Sequence, residues 1–552
     1  MKKIFLGLLV IIVIAGLIGG GIYTTKYKPN EKVIGFSDEI YLMIEDVLIE
    51  NGEPVIFQDS KIYFSYDIIK TYFDKDIYYD QSEETLILTS VDKVKRYKIG
   101  EYEGSINSKI YLIDNPVILL NDRIYVPMEL FKDDYDITIE FYPDTNAVVV
   151  DYTDMYYLNG EVVLQGASLR TDLDIKSPML LSDIEIGTSL YIYGEFEHWY
   201  KVRTLDGIPG FIEKRYLKVN HTKDIYKTEL LDKEQSIISN SEKINLTWDY
   251  TYRKLANTDN IVPIEGVNIM SPTWFSITDS SGTIYDKGNR DYVRKYRDLG
   301  YQIWPLIDNN FDPDLTHDLL KSSANREQII NNILDVYLDY GFQGINIDFE
   351  NIHLKDKDLL TQFVRELYPI FKENNLMVSM AVTTISTSEN WSLSYDRERL
   401  AETTDYLMLM AYDQHWAASP IAGSVAQYSW VERGIKGVLK QIPNEKLILS
   451  VPYYTRLWIE EDGKVSSQAL SMEVANRFID ENNIDLIWDN ESMQYYGELE
   501  KENKLYKIWL EDSNSLEYKA SLINKYDLAG IASWRKGFET EDVWTAIHSI
   551  VN

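Results

Sequence analysis

Between Gly344 and Glu350 the chain reads Gly-Ile-Asn-Ile-Asp-Phe-Glu, a strict alternation of apolar and polar residues. Side chains on a strand change face with period two, so Asn346, Asp348 and Glu350 share one face while Ile345, Ile347 and Phe349 share the other. Three polar groups on one face of a strand that also carries Ile and Phe are costly to bury unless they are hydrogen-bonded or used. Crowded carboxylates push one another's pKa values apart, which leaves one of them protonated near neutral pH and able to act as a general acid. A structural cluster of paired charges is the competing explanation for the same residues.

The elements that would position this strand lie on both sides of it. From Lys243 to the C-terminus, apolar runs alternate with helical stretches, the pattern of a parallel sheet covered by helices. The runs are Ile244 to Trp248, Gly266 to Met270, Gln302 to Ile307, Gly344 to Phe349, Met377 to Val382, Tyr406 to Tyr412, Lys446 to Val451 and Ala529 to Trp534. Their number predicts a closed (β/α)8 TIM barrel, in which functional residues stand at the C-terminal ends of strands. Asp348 and Glu350 fall at such an end.

On these residues the segment resembles the D-G-x-D-x-D-x-E signature of glycoside hydrolase family 18. The resemblance implies that Glu350 is the acid/base that protonates the glycosidic oxygen. Asp348 would hold the substrate's own 2-acetamido group so that its carbonyl oxygen attacks the anomeric carbon, a substrate-assisted retaining route. Met410-Ala411-Tyr412-Asp413 is similar to the family's M-x-Y-D, which implies Tyr412 as a donor to the acetamide oxygen and Asp413 as a sugar contact. Trp534 would form the aromatic floor under the reacting sugar. Pro452-Tyr453-Tyr454-Thr455-Arg456-Leu457-Trp458 resembles a P-[FY]-Y-x-R-x-W segment, which adds Tyr454 and Arg456 as substrate contacts. Gln343 and Asn346 stand where the family's first two aspartates would be; Asn346 is expected to contact Asp348 and the substrate without taking up charge. The G-[IV]-N-I-D-F-E form looks like the branch of spore-cortex and cell-wall N-acetylglucosaminidases, so an N-acetylglucosamine-containing glycan is the implied partner, in peptidoglycan or in a chitin-like polymer. A catalytically silent sugar-binding protein is the alternative outside the enzyme class; Glu350 speaks against it. Ile459 to Leu510 is where the family often inserts a wall to the cleft.

The first half of the chain is modular. Residues 31–153 hold an internal repeat with a period of roughly sixty residues, in which Pro54 to Phe64 aligns with Pro116 to Val126. Each copy reads as strand, polar turn, strand and short helix, and resembles the stalk-like domain related to the N-terminal domain of copper amine oxidases. That implies an α+β spacer or wall-contacting module. Residues 154–220, with short strands and Gly turns around Trp199-Tyr200-Lys201-Val202, look like a small all-β bacterial SH3-like barrel. Residues 221–242 read as a polar linker, and 243–552 as the barrel.

Composition bounds the remaining possibilities. A net charge of -33 repels phosphate backbones and argues against nucleic acid. No cysteine is present and the six histidines are scattered, so disulfides are ruled out and neither a metal site nor a cofactor is expected. Lys2 and Lys3 precede an uncharged run from Ile4 to Ile22, long enough to cross a bilayer, which predicts a transmembrane signal anchor within residues 1–30 and a catalytic domain on the wall side of the membrane. If the segment is cleaved, the protein is secreted.

Overall fold

The structure, a computed structural model, describes residues 2–22, 28–50, 52–155, 157–224, 243–252, 258 and 261–551. It divides into two compact units, one of residues 1–77, 99–102 and 113–236, the other of residues 78–98, 103–112 and 237–552. The polar linker expected at 221–242 lies almost wholly outside the described residues.

In the second unit the chain closes a parallel barrel. Its strands, first to eighth, are Ile244–Asp249, Ile269–Ile277, Leu306–Asp308, Gly344–Asp348, Met377–Thr383, Tyr406–Met410, Leu447–Pro452 and Gly530–Trp534. Each pairs in parallel with its neighbours, and the first pairs with both the second and the eighth, which closes the ring. All eight apolar runs read from the sequence therefore become barrel strands. Alternation sorts their side chains into two cores. Leu246, Trp248, Leu306, Met408, Ile448 and Ala532 fill the interior, while Ile345, Ile347 and Phe349 join helix residues such as Phe363, Val364 and Leu367 outside it.

The fourth strand is set by what precedes it. Helix Ser323–Tyr340 starts on Ser322, whose hydroxyl accepts from Asn325 N, and stops at Gly341 in the left-handed region at φ 72°. The strand then opens on Gly344, where a Cβ would lie 2.8 Å from the Trp304 ring and 2.9 Å from Met377 O, so only glycine lets the third and fifth strands close in. After the seventh strand the chain inserts an α+β element. Strands Tyr454–Glu461, Lys464–Ser471, Ile487–Asp489, Gln494–Lys501 and Lys504–Trp509 form one sheet, with helix Met472–Asn482 packed on it.

A second sheet belongs to this unit although it comes from far upstream. Tyr78–Asp80, Thr85–Thr89, Val94–Lys98, Glu103–Ile106 and Lys109–Leu112 form an antiparallel meander. Ile87 and Val94 join the outer core of the barrel. Arg96 Nη2 lies 2.6 Å from Glu366 Oε2, and Arg326 Nη2 lies 2.8 Å from Glu366 Oε1, with Arg326 and Glu366 fully buried. Burial works against the charge on Glu366, but the two guanidiniums and the amide of Gln362 outweigh it and hold its carboxyl below the usual range.

The first unit contains the repeat. Its two copies pair with each other: Val55–Gln58 and Lys61–Ser65 from one copy, Ile118–Leu120 and Arg123–Pro127 from the other, form a four-stranded sheet in which Val126 faces Phe64. The turns match too, since Asp59-Ser60 and Asn121-Asp122 both have positive φ, the two-residue hairpin geometry that follows strand twist. Downstream, strands between Tyr157 and Asp224 form a seven-stranded antiparallel sheet around Val162, Leu169, Leu190, Val202 and Ile212.

The expected membrane anchor finds no support in the structure. Lys2–Ile22 forms a helix, yet among the described residues no helix is long and apolar enough to cross a membrane.

Candidate active site

Asp348 ends the fourth strand and Glu350 follows it at the mouth of the barrel, both half-buried. The backbone at Glu350 is clamped by Asn309, whose Oδ1 accepts from Glu350 N at 3.0 Å while its Nδ2 donates to Glu350 O at 2.8 Å. The same amide reaches Thr316 Oγ1 at 2.9 Å, so Asn309 itself is fixed. Tyr395 Oη donates to Phe349 O at 2.8 Å from the other side. Glu350 thus projects from a segment held at both flanks.

Burial first, then the charge on Asp308, pushes Asp348 up to about 7. Burial also drives Glu350 well above the usual carboxyl range, with Asp348, Asp413 and Asp308 adding to it. Glu350 is thereby biased toward its protonated form, the form a general acid needs. Asp348 Oδ1 is buried and accepts no hydrogen bond from the described residues, so a donor N–H on a ligand fits it.

The sixth strand leads into Tyr412 and Asp413. Burial, followed by Asp348, Tyr454, Glu350 and Asp413, keeps the Tyr412 hydroxyl protonated and therefore a donor. Asp413 sits in the left-handed region at φ 58°. Its Oδ1 accepts from Tyr454 Oη at 2.6 Å and from Arg456 Nη2 at 3.1 Å. The Tyr412 and Tyr454 rings meet edge to face at 6.4 Å. Six of the residues singled out from the sequence, Asp348, Glu350, Tyr412, Asp413, Tyr454 and Arg456, thus form one contiguous cluster across the fourth, sixth and seventh strand ends.

Trp534 closes the eighth strand, half-buried, with Trp248 at 5.9 Å and Tyr250 at 6.2 Å, both edge to face. Trp248 Nε1 in turn donates to Asn346 Oδ1 at 2.9 Å. Asn346 is fully buried, and its Nδ2 turns to Ser379 Oγ and Met408 Sδ, each at 3.3 Å. The expected contact of Asn346 with Asp348 is not formed: its amide is spent on the barrel floor, one layer beneath the carboxylates. Gln343 lies at the far end of the strand, where it ties Ile303 N to Gly341 O.

Several residues at the mouth escaped the sequence reading. Asp308 ends the third strand and Asn309 follows it, one and two residues past the apolar run that marked it. Exposed aromatic residues follow other strand ends: Tyr250 and Tyr252 after the first, Phe311 after the third, Trp391 after the fifth and Trp416 after the sixth. Trp391 and Trp416 are 42% and 53% exposed, a large apolar area for solvent unless a ligand with flat faces uses it.

A closed parallel barrel with a protonated carboxyl and a neighbouring carboxylate at its C-terminal mouth defines a TIM-barrel glycosidase type of domain. Comparison with known proteins gives the same class. Residues 308–538 match the glycosyl hydrolases family 18 model, and residues 44–150 match the copper amine oxidase N-terminal domain. The chain is 25% identical over 253 residues to the cortical fragment-lytic enzyme of Bacillus subtilis, covering 45% of this chain and 58% of that protein. It is 25% identical over 264 residues to human di-N-acetylchitobiase, covering 40% of this chain and 66% of that one. The crystal structure of the Bacillus cereus spore cortex-lytic enzyme SleL shares the fold at a TM-score of 0.52 and 17% identity, over 68% of this chain and 79% of that one. The chain thus spans less than two thirds of the length of these two curated relatives.

Proposed function

We propose that this protein is an extracytoplasmic glycoside hydrolase that cleaves β-1,4 bonds at N-acetylglucosamine in peptidoglycan or spore cortex, by substrate-assisted retaining catalysis. The observation that carries the proposal is the pairing of a protonated Glu350 with an Asp348 oxygen that lacks a donor, at the mouth of a family 18 barrel. Glu350 gives its proton to the departing glycosidic oxygen. Asp348 accepts the acetamide N–H and turns the acetamide carbonyl toward the anomeric carbon, and Tyr412 donates to that carbonyl oxygen as charge builds on it. Asp413, held by Tyr454 and Arg456, contacts the sugar hydroxyls, and Trp534 stacks under the ring. Asn346 acts from beneath, by fixing Trp248 against Trp534. The site calls on no cofactor. The location outside the cytoplasm rests on the lysine pair and apolar run at the N-terminus and on the absence of cysteine.

The test is to incubate the full chain with purified peptidoglycan and with spore cortex and to analyse the products by mass spectrometry. New reducing-end N-acetylglucosamine is expected, and its absence across a range of pH would sink the reading. The relative named di-N-acetylchitobiase supports a second reading, hydrolysis of chitooligosaccharides. Rates on chitin oligomers and on muropeptides, measured side by side, decide between the two.

A further inference from the structure

Asn346 raises a question of charge. Where the resemblance led us to expect a carboxylate behind Asp348, an amide stands, and all its hydrogen-bonding capacity faces Trp248, Ser379 and Met408. The neighbouring strand carries a different candidate. In the parallel register between the third and fourth strands, Leu306 stands beside Asn346 and Asp308 beside Asp348. Leu306 belongs to the barrel interior, so by alternation Asp308 points inward as well, in the same layer as Asp348 and next to it.

The carboxylate of Asp308 is held in place. Ser276 Oγ, from the second strand, donates to its Oδ2 at 2.9 Å, and Asn310 N donates to its Oδ1 at 2.9 Å. Burial raises the Asp308 carboxyl above the usual aspartate range, and the donor on each oxygen and then Lys287 pull it back toward the ionised form. Among the described residues, Asp348 Oδ1 has no such donor.

We propose that Asp308 is a positioning residue for Asp348, supplying from the third strand the negative partner that Asn346 does not supply from the fourth. The inference rests on the reading of the site as a glycosidase. Between the two carboxyls the proton resides on Asp348, because Asp308 is anchored by donors that favour its charge. The remaining titratable groups facing the pair are Glu350 on the fourth strand, Asp413 and Tyr412 after the sixth, Tyr395, Tyr454 after the seventh, and Lys287 beside Asp308. Removing the charge at 308 lowers the pH at which Asp348 and Glu350 release their protons.

The decisive measurement is the pH profile of kcat/KM for the full chain on an aryl β-glycoside of N,N'-diacetylchitobiose. Asp308→Asn should move the alkaline limb, which reports loss of the Glu350 proton, toward acid by about half a pH unit or more. Ser276→Ala, which removes only one anchor of Asp308, should move it less and in the same direction. Asp308→Glu should keep the limb closer to its original place than Asp308→Asn does. A uniform drop at every pH with unmoved limbs in both Asp308→Asn and Ser276→Ala overturns the inference, since that is what a merely structural role gives. A second readout does not need turnover. Thermal melts of Asp308→Asn, Asp348→Asn and the double variant should each gain on the parent protein at pH 8, with the double variant gaining less than the sum of the two singles, because the repulsion between the two carboxylates can be relieved only once. Strictly additive gains count against Asp308. If the parent protein cleaves neither the glycoside nor peptidoglycan, the glycosidase reading fails on its own, while the melts still decide for or against the coupling of Asp308 to Asp348.

Discussion

Tyr454 donates its phenolic proton to Asp413 across 2.6 Å, joining the start of the inserted sheet to the loop after the sixth strand. Arg456 takes the same carboxylate oxygen from 3.1 Å and stacks its guanidinium over the Tyr454 ring at 5.5 Å. Asp413 is thus aimed by two residues of a different strand. Tyr454→Phe keeps the ring and removes one charge-assisted bond of about 1.5 to 3 kcal/mol, so kcat/KM on the chitobioside should fall roughly ten- to a hundredfold with the melting temperature nearly unchanged. Steady-state kinetics with a thermal melt alongside checks both halves.

Glu350→Gln preserves shape and removes the transferable proton. Turnover should fall by roughly a hundredfold to ten-thousandfold, while calorimetric binding of a chitooligosaccharide stays within a few-fold of the parent. An unchanged rate refutes the acid role; a lost rate with lost binding points instead to collapse of the mouth.

The pH dependence of stability follows from Asp348. Its folded-state value of about 7 lies above the value of about 4 for an unfolded aspartate. Stability tied to its protonated form is complete below about 4 and is lost as pH rises through about 7. Asp348→Asn abolishes this loss, so the variant should overtake the parent in melting temperature by a few degrees as pH climbs from 4 to 8, and a constant offset would falsify the assignment. Glu432, held down at about 2 by its bonds to Lys525 and Tyr526, has the opposite sign and is common to both proteins.

Glu366→Ala leaves the buried Arg326 without its carboxylate partner and Arg96 with only Glu327, 3.5 Å from its Nε. Breaking a buried ion pair in this way costs about 3 to 5 kcal/mol. Urea unfolding should show that loss, with the specific activity of the remaining folded protein intact.

Much of this architecture is legible in the sequence because period-two alternation is a local property. The fourth strand carries it strictly, so Asn346, Asp348 and Glu350 announce their shared face within seven consecutive residues, while most of the other barrel strands stand out as apolar runs between helical stretches. Asp308 is announced by the same rule. Trp304, Leu306 and Asp308 alternate inward, but an apolar run that ends at Ile307 hides the polar residue completing it. The role of Asn346 was less accessible, because which partner its amide prefers depends on Trp248, Ser379 and Met408 from three other strands. Neither could any local pattern foretell that residues 78–98 and 103–112 share a compact unit with the barrel, since their partners Ser323, Arg326 and Glu366 lie more than two hundred residues downstream. For the apolar N-terminal run, length and composition predict an anchor, and among the described residues no helix is long and apolar enough to cross a membrane.

The salt-bridged meander has a consequence for how the barrel can be inherited. A catalytic domain that begins at Lys243 looks transferable as a cassette, free to be joined to other modules by recombination at the preceding polar segment. Here it is not, because Glu366 is built to receive a guanidinium from Arg96, and a barrel copied alone would carry a buried anion short of one of its two counter-charges. Moved without the upstream strands, the barrel would hold Glu366 by Arg326 and Gln362 alone and would lose the stability that Arg96 adds.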